Sequence, residues 1–301
     1  MDRLLAMKVL VAAVEAGSFS AAARRLKMPL PTVSRRIAEL EAHLGARLLN
    51  RTSRRLELTE AGRDYLAAAR RILDDVAEAE RIASGEYATP RGDLIITAPL
   101  VFGRLHVLPV VVDFLKAYPQ VDVRLVLNDR NLNLIEDHVD LAVRIGNLPD
   151  SSMVATRVGA IGRVVCGSPA YFAAHGRPKI PADLAGHDCI SFDGMLASSR
   201  WLFMRGGRPV QAEIRTRLSV NTAEAAIDAA VAGLGLTHVL VYQAAEALSG
   251  GRLEMVLKDH MPAPSPVHLV HSGGRLLPHK VRAFLDHAAP MLRSAIAALP
   301  G

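Results

Sequence analysis

Apolar residues recur at helical spacing through the first third of the chain, and short polar stretches interrupt the pattern. Residues 2–16 predict a first helix, with Leu4, Met7, Val11 and Val14 on one face. This helix is expected to pack behind the two helices that follow it and to complete a three-helix core.

Two shorter helices follow the first and are separated by a tight break. Ser20 is the expected N-cap of the earlier one, residues 27–29 end it, and Pro29 opens the next. In that second helix the apolar positions lie three or four residues apart and form one buried stripe, made of Val33, Ile37, Leu40 and Leu44. Gly45 ends the helix. The opposite face at its N-terminal end is short, polar and basic, as major-groove docking requires.

The next segment alternates basic and apolar side chains. Residues 46–58 therefore predict two short strands, joined by residues 50–53, that form a basic wing. Thr59 is the expected N-cap of a helix that runs to about Ser84-Gly85. Its apolar residues follow three- and four-residue steps, which indicates a coiled-coil dimerisation seam of Leu66, Ala69, Leu73, Val76 and Ala83. A helix that packs only on its own domain is the alternative.

Charge adds a nucleic-acid partner to this picture. Between Arg24 and Arg55 the chain has nine basic residues and two acids, a net charge of +7, whereas the whole chain of 301 residues carries +6. A phosphate backbone is the natural partner of such a local excess. A solvated amphipathic helix pair would show the same apolar spacing and remains the alternative.

Beyond a hinge at residues 86–91 the pattern changes to alternating strands and helices, which predicts an α/β layout with parallel strands. Strands are expected at residues 94–98, 121–127, 140–144, 164–167, after Gly235 and at 267–270, and helices at residues 107–118, 132–137, 168–174, 221–231 and from Pro278 onward.

Composition and motifs argue against several classes of protein. Half of the residues are hydrophobic and 22% are charged, which is typical of a globular chain. The longest uncharged run, residues 229–245, is shorter than the ~20 apolar residues of a membrane-spanning helix. Residues 2 and 3 are charged, which argues against a signal peptide. Cys166 and Cys189 lack metal or redox spacing, and a thiol switch is the minor alternative to two buried thiols.

The search for catalytic chemistry also gives no enzyme class. The sequence has no HExxH, GxSxG, Walker A or GxGxxG motif. The run His187-Asp188-Cys189 contains nucleophile-like residue types, but neighbours on a strand point to opposite faces. The 11 histidines are scattered without metal-ligand spacing.

The N-terminal third resembles the LysR-type transcriptional regulator family. The matching residues are Gly17-Ser18-Phe19-Ser20, Ala22-Ala23, Leu26, Pro31-Thr32-Val33-Ser34-Arg35, Ile37, Leu40-Glu41, Leu44-Gly45, Leu48-Leu49, Arg51, Leu58-Thr59 and Ala61-Gly62. The chain departs from the family at three positions, where Pro29 replaces a frequent serine, Leu30 a frequent glutamine and Leu49 a frequent phenylalanine. The predicted DNA-contacting residues are Ser18, Ser20, Leu30, Pro31, Thr32, Ser34, Arg35, Arg36, Arg51, Thr52, Arg54 and Arg55.

The remainder resembles the effector-binding domain of the same family, so the resemblance covers essentially the whole chain. Matches include Tyr118-Pro119, residues 140–146, residues 148–152, Ser168-Pro169 and Gly233-Leu234-Gly235. The resemblance implies an α+β multidomain fold: a winged helix-turn-helix, a long linker helix and a two-lobed α/β domain like a periplasmic binding protein. The corresponding residues are 1–58, 59–90 and 91–301, with lobe 1 at about 91–161 and 267–301 and lobe 2 at about 162–266.

An effector site is expected where strands of the two lobes end, because open α/β sheets bind ligands at the carboxyl ends of their strands. A hydroxyl and unpaired N–H groups near the end of the first strand would suit a carboxylate or another anion. The predicted effector-binding residues are Thr97, Pro99, Leu100, Asn128, Arg144, Asn221, Thr222, Thr237 and His238. Ordinary helix caps, and a structural ion pair for Arg144, are the alternatives.

These features predict a cytoplasmic transcriptional regulator, not an enzyme, without cofactor or metal. The expected partners are a small-molecule effector and double-stranded DNA with an interrupted palindrome, bound by a homodimer or homotetramer, with RNA polymerase as a further candidate. A two-lobed solute-binding protein or an enzyme on the same scaffold is the rival. The first would lack the basic block at residues 24–55, and the second would need convergent acid, base or nucleophile groups.

Overall fold

The computed structural model divides the chain into two units, Met1–Thr89 and Pro90–Gly301. It describes residues 1–51, 56–84, 89–129, 139–149, 153–192, 200–273 and 277–299, together with Leu134 and Asp137. The elements of the first unit are α1 (Arg3–Glu15), α2 (Phe19–Leu26), α3 (Leu30–Leu44), β1 (Leu49–Arg51), β2 (Leu56–Leu58) and α4 (Glu60–Ser84).

The core of the first unit forms where α1, α2 and α3 meet. Three members of the predicted stripe, Val33, Ile37 and Leu40, are fully buried, which confirms the face of α3. The fourth is wrong, because Leu44 is the last residue of the helix and is 38% exposed. The predicted face of α1 is wrong, because the buried residues are Ala6, Val9, Leu10 and Ala13, while Leu4 is 38% exposed. Helix α1 is apolar on most of its circumference, so spacing alone does not select the face that is buried.

The N-cap of α2 lies two residues before the predicted one. Ser18, not Ser20, is the N-cap of α2, and its Oγ accepts a hydrogen bond from the Ala21 N–H at 3.2 Å. Lys27 takes a left-handed conformation (φ 52°) and ends α2. Pro29 is extended and immediately precedes α3, which Gly45 ends as expected with φ 64°.

The wing is an antiparallel pair in which Leu49 lies opposite Leu58. Thr59 is the N-cap of α4 as predicted, because its Oγ accepts from the Gly62 N–H at 2.9 Å. A Cβ at Gly62 would lie 2.0 Å from the Leu48 carbonyl oxygen, so only glycine lets α4 approach the wing this closely. The predicted turn begins within β1, and residues 52–55 lie outside the described residues.

The second unit consists of strands and helices in two lobes. In chain order its elements are β3 (Gly92–Ala98), α5 (Leu100–Phe102), a π-helical turn (Gly103–Val107), α6 (Leu108–Ala117), β4 (Val121–Leu127), β5 (Leu141–Ile145), β6 (Met153–Ile161), β7 (Arg163–Gly167), α7 (Pro169–His175), a 3-10 helix (Pro181–Gly186), β8 (Asp188–Ser191), β9 (Arg200–Arg205), β10 (Arg208–Glu213), β11 (Arg215–Ser219), α8 (Ala223–Val231), β12 (Leu236–Leu240), α9 (Val241–Ser249), β13 (Glu254–Val256), a 3-10 helix (Lys258–His260), β14 (Ser265–Ser272) and α10 (His279–Ala297).

Each lobe has a five-stranded sheet, ordered β4-β3-β5-β14-β6 in the first and β11-β8-β12-β7-β13 in the second. The expected parallel pairing is present where β3 lies beside β4 and β5 and where β8 lies beside β11 and β12, but both sheets are mixed. Strand β14 runs antiparallel to β5 and β6, and β7 runs antiparallel to β12 and β13. The chain leaves the first sheet at Gly162 and returns to it at Ser265. The strand that follows the first crossing, β7, and the strand that follows the return, β14, are therefore the antiparallel ones.

Helix α6 has an unusual beginning. The helical segment starts at Leu100, earlier than the predicted residue 107, and contains the π-helical turn Gly103–Val107. A Cβ at Gly103 would lie 2.2 Å from Leu127 Cδ2, so this glycine lets the turn pack directly on β4. Turns of this type occur frequently at functional sites. The predicted helix at residues 132–137 lies largely outside the described residues.

Candidate DNA interface and effector site

The N-terminal face of α3 is accessible. Leu30, Pro31 and Arg35 are exposed, and Thr32 and Ser34 are half-buried beside them. The Arg35 side chain is 66% exposed and its Nε lies 3.7 Å from a Glu39 carboxylate oxygen. This face therefore presents a small polar surface with one prominent cation.

Arg36 differs from its neighbour Arg35 in its surroundings. Its Nη1 lies 3.2 Å from Glu39 Oε2, and the side chain is only 24% exposed. Its Nε is shielded from solvent and has no hydrogen-bond partner in the described part of the chain. Arg36 is therefore held against the helix more closely than Arg35.

Further basic side chains surround this face. Arg24 and Lys27 are exposed on α2 and at its end. Arg25 is bound to Glu15 at 2.7 Å, and Arg70 approaches the same carboxylate at 3.3 Å, so Glu15 links α1 to α2 and α4. The side chain of Arg51 and the predicted contacts Thr52, Arg54 and Arg55 lie outside the described residues.

The linker helix α4 has two kinds of apolar position. Leu66 and Ala69 of the predicted seam are buried inside their own unit, and α4 packs along α1. Leu73 and Val76 are only half-buried, and Ile72, which the prediction omitted, is 40% exposed. Because Leu66 and Ala69 are buried, the exposed apolar face of α4 is narrower than the predicted seam and is shifted toward Ile72. The side chain of Ala83 is outside the described residues.

Two of the three threonines predicted to contact an effector, Thr97 and Thr237, are buried. Thr97 has no exposed surface, and its hydroxyl donates to the Val126 carbonyl at 3.1 Å. Thr237 is buried in the same way, and its hydroxyl donates to the Ile190 carbonyl at 3.2 Å. Each hydroxyl thus forms a hydrogen bond that links its own strand to the neighbouring one.

The helix start after β3 already has an anionic partner. The Leu100 N–H donates to Asp129 Oδ1 at 3.0 Å, so the expected unpaired N–H at this position is wrong. Asn128 lies at the same sheet edge, and its N–H donates to the Ala98 carbonyl. As predicted, the strand ends bring together Pro99, Leu100 and Asn128. The carboxylate of Asp129 lies among them and takes the place expected for a bound anion.

The predicted residues of the second lobe separate into two places. Thr222, not Asn221, is the N-cap of α8, and its Oγ accepts from the Ala225 N–H at 3.3 Å. His238 lies on the other side of its sheet, where its ring stacks on Phe203 at 5.8 Å and lies 5.3 Å from Trp201. Burial, and then the positive charge of Arg163, lower the pKa of His238 to about 3.

The direct contacts between the lobes involve residues that the sequence did not single out. Phe102 and His106 lie with their ring centroids 5.4 Å and 5.6 Å from the Tyr242 ring of α9. Arg104 Nη2 lies 3.8 Å from Glu224 Oε1 of α8. The π-helical turn thus meets the N-terminal ends of α8 and α9. The sequence did contain one signal of this junction, namely two polar residues, Arg104 and His106, within an otherwise apolar helical stretch.

Burial changes the proton affinities at this junction. It raises the pKa of Tyr242, an effect that the nearby Asp129 carboxylate reinforces, and it lowers the pKa of His106. His106 Nε2 and Glu224 Oε2 are shielded from solvent, and neither has a hydrogen-bond partner in the described part of the chain. The junction therefore combines aromatic walls with two unsatisfied polar atoms.

The cysteines are structural. On β12, Thr237 pairs with Cys166 and the adjacent Leu236 pairs with Cys189, so the two thiols lie on opposite faces of the sheet. Burial raises the pKa of each thiol to about 12. This arrangement provides no reactive thiolate and no disulfide geometry, which disfavours the thiol switch.

The run His187-Asp188-Cys189 is likewise used in packing. The Tyr171 hydroxyl lies 3.3 Å from His187 Nδ1, and the Asp188 carboxylate binds Arg217 at 2.6 Å. Among the described residues no group of acids, histidines and cysteines has metal-binding geometry, and no described helix has the length and apolarity needed to cross a membrane.

Comparison with protein families decides the identity. The model of the bacterial regulatory helix-turn-helix protein, lysR family, matches residues 4–63, and the model of the LysR substrate binding domain matches residues 88–293. The chain belongs to the LysR family of transcriptional regulators. It is accordingly a transcriptional regulator with an effector-binding domain, and the predicted fold class is confirmed.

The similarity to individual relatives covers nearly the whole chain. The probable HTH-type regulator LtrA of Klebsiella pneumoniae is 34% identical over 93% of this chain and 92% of its own length. An HTH-type transcriptional repressor of Pseudomonas aeruginosa is 35% identical over 95% of this chain and 91% of its own length. The structure of CrgA, a LysR-type regulator from Neisseria meningitidis, matches with 31% identity and a TM-score of 0.61, covering 95% and 98% of the two chains.

Proposed function

We propose that this LysR-type regulator binds an interrupted palindromic operator as a dimer and responds to a small molecule held between its lobes. The observation that carries the DNA part is the exposed α3 face with Arg35, supported by a wing fixed to the same helix. Recognition helices of this type contact base edges through their N-terminal residues.

Individual DNA contacts follow from exposure. Leu30, Pro31, Thr32, Ser34 and Arg35 would face the major groove, with Arg35 as the base-contacting cation. Arg36, which is held by Glu39, would contact the phosphate backbone of the DNA. The side chains predicted from the sequence on α2 and the wing would do the same; they are Ser18, Ser20, Arg51, Thr52, Arg54 and Arg55.

Dimerisation would use two neighbouring apolar stripes. One is the exposed side of α1 around Leu4, and the other is the open face of α4 made of Ile72, Leu73 and Val76. The two helices pack against each other, and a second copy of the chain would cover both stripes. A third stripe, in the effector domain, would support a tetramer and consists of Leu105, Leu108 and Val112.

The effector would lie where the π-helical turn meets α8 and α9. His106 Nε2 and Glu224 Oε2 offer unsatisfied polar atoms beside the rings of Phe102 and Tyr242. A ligand with a ring or other apolar body and a hydrogen-bonding group fits these surroundings. Pro99, Leu100, Asn128, Asn221 and Thr222 would form the rim, whereas the buried Thr97, Thr237 and His238 would support the fold around it.

The decisive experiment is a mobility-shift assay with DNA from upstream of the protein's own coding region. A discrete complex that resists an excess of random DNA would support operator binding, and equal competition by random DNA would contradict it. A two-lobed solute-binding protein or an enzyme would give no shift. The same complexes, sized by light scattering, give the subunit number, and addition of RNA polymerase tests the remaining partner. We place this activity in the cytoplasm, where chromosomal DNA is accessible.

A further inference from the structure

Two polar side chains lie side by side on the face of the second-lobe sheet that the β9–β10 hairpin covers. Cys189 on β8 pairs with Leu236 on β12, and both belong to the apolar core beneath the hairpin. Ser191 and His238 are two residues further along the same strands, so they point to the same face. The ladder between β8 and β12 ends one residue before them, so the pair stands at its end.

Neither of these polar groups is satisfied by the protein. Ser191 is 1% exposed, and its Oγ is shielded from solvent without a hydrogen-bond partner in the described part of the chain. His238 Nε2 is shielded in the same way and has no partner there either. Buried polar atoms are rarely left unpaired, because each has lost its hydrogen bonds to water. Two of them on neighbouring strands are therefore suited to hold one small hydrogen-bonding molecule.

A third polar residue connects this pair to the surface. Ser219 on β11 pairs with Ser191 and points to the same face, but it is exposed. Ser219, Ser191 and His238 thus form a serine–histidine row across three strands. The row begins at an exposed hydroxyl and ends at a buried imidazole, which gives a small molecule a polar path inward.

Arg163 supplies a positive charge at the inner end of the row. Val165 lies opposite His238, and Arg163, two residues earlier on β7, points to the same face. Arg163 is half-buried, and none of the described acids forms an ion pair with it. Burial, and then the charge of Arg163, lower the pKa of His238, so the imidazole is neutral at pH 7. Arg144 of the first lobe, by contrast, already has an interaction partner.

We propose that the serine–histidine row and Arg163 bind a small carboxylate between the sheet and the hairpin. The Ser191 hydroxyl and His238 Nε2–H would donate to its oxygens, and Arg163 would balance its charge. Hydrogen bonds to an ionised acceptor are stronger than those to a neutral one, so the site favours a carboxylate over an amide of the same shape. Trp201 and Phe203 are buried beside His238 and would meet the apolar part of the ligand.

This site is separate from the effector site proposed at the π-helical turn. The effector junction uses Glu224 of α8 and Tyr242 of α9. Those helices pack on the other face of the sheet, where Ile190 and Val239 belong to the same core as the two helices. The carboxylate site therefore does not rest on the proposed effector function, and either can fail without the other.

The only tryptophan of the chain, Trp201, reports directly on the site, because its ring centroid lies 5.3 Å from that of His238. The full chain is titrated at pH 7.5 with sodium acetate, with sodium chloride at equal ionic strength as the reference. Acetamide, a neutral molecule of the same shape, is titrated in parallel. We expect a saturable change of tryptophan fluorescence with acetate alone. Ser191→Ala and Arg163→Gln should each weaken acetate binding about tenfold.

Ser249→Ala and Arg293→Gln are the matched controls, since each removes the same group from an exposed position. Both should bind acetate as the wild type does, and so should Glu224→Gln. Ser191→Ala removes a buried hydroxyl that has no partner, so its unfolding midpoint without acetate should not fall. If Arg163→Gln does not fold, Ser191→Ala decides the question alone.

Three results would overturn the proposal. The first is a fluorescence change with acetate that does not saturate or that equals the change with chloride or acetamide. The second is the same acetate affinity in Ser191→Ala as in Ser249→Ala. The third is a loss of acetate binding in Glu224→Gln, which would place the ligand at the effector junction.

Discussion

Glu41 on α3 accepts a hydrogen bond from the Leu48 N–H at 2.9 Å, immediately before the first strand of the wing. The same carboxylate oxygen accepts from the Leu49 N–H at 3.1 Å. Leu48 and Leu49 are buried, so their N–H groups would lose partners in Glu41→Ala. We expect this variant to lower the free energy of unfolding by about 1–3 kcal/mol, measured by urea denaturation.

The same variant should weaken DNA binding, because α3 and the wing would no longer be held in one orientation. Glu57→Ala is the matched control, since Glu57 is an exposed carboxylate on β2. Equal stability of Glu41→Ala and Glu57→Ala would show that the carboxylate bonds do not fix the wing.

Arg35→Ala should reduce specificity, because Arg35 is the most prominent cation on the groove-facing surface of α3. We expect the binding free energy for the operator to weaken by about 1–3 kcal/mol, and that for random DNA to weaken less. Arg24→Ala is the comparison, with an expected uniform loss and a salt slope lower by about one. Fluorescence anisotropy over a salt series measures both. An unchanged ratio of operator to random affinity in Arg35→Ala would reject the base contact.

Ile72→Asp should dissociate the dimer, because it places a charge in the centre of the open apolar face of α4. Ala67→Asp on the same helix is exposed and lies on a different face, so it should leave assembly unchanged. Sedimentation velocity distinguishes the two. Operator affinity should fall with assembly in Ile72→Asp, since two half-sites must be held in register. Identical sedimentation of both variants would remove α4 from the interface.

Local sequence signals predicted individual elements better than the faces they bury. The stripe of α3 was predictable because polar residues separate Val33, Ile37 and Leu40, whereas α1 is apolar on several sides. Ser18 and Ser20 are equivalent as cap candidates until the left-handed Gly17 sets where α2 begins. The junction at Arg104 and His106 depends on a π-helical turn and on a second lobe about 120 residues away in the chain, which periodicity does not encode.

Glu224→Gln should change the response to effector with little effect on stability. The carboxylate lies 3.8 Å from Arg104 across the lobes and both side chains are partly exposed, so the pair contributes at most about 1 kcal/mol. We expect a change in the effector concentration that gives a half-maximal response in a reporter assay. The DNA affinity without effector should be unchanged. Glu213→Gln, which removes an exposed carboxylate paired with Arg200, is the control. Equal dose curves for both variants would exclude Glu224 from the response.

His238 should make the effector domain sensitive to acid. Its pKa is about 3 in the folded chain and about 6.5 when unfolded, because its ring is buried against Trp201 and Phe203 and lies near the positive charge of Arg163. The unfolded chain therefore binds more protons between these values. The contribution to stability is present above pH 6.5 and falls as the pH decreases toward 3.

At pH 5 this histidine alone should lower the free energy of unfolding by about 2 kcal/mol relative to pH 7.5. His238→Phe keeps an aromatic ring in the same stack and removes the proton site, so it should lose about 2 kcal/mol less than the wild type over that interval. The exposed His43→Gln variant should follow the wild type. Urea titrations at the two pH values supply the comparison, and a parallel pH dependence in all three proteins would mean that His238 is not protonated on unfolding in this range.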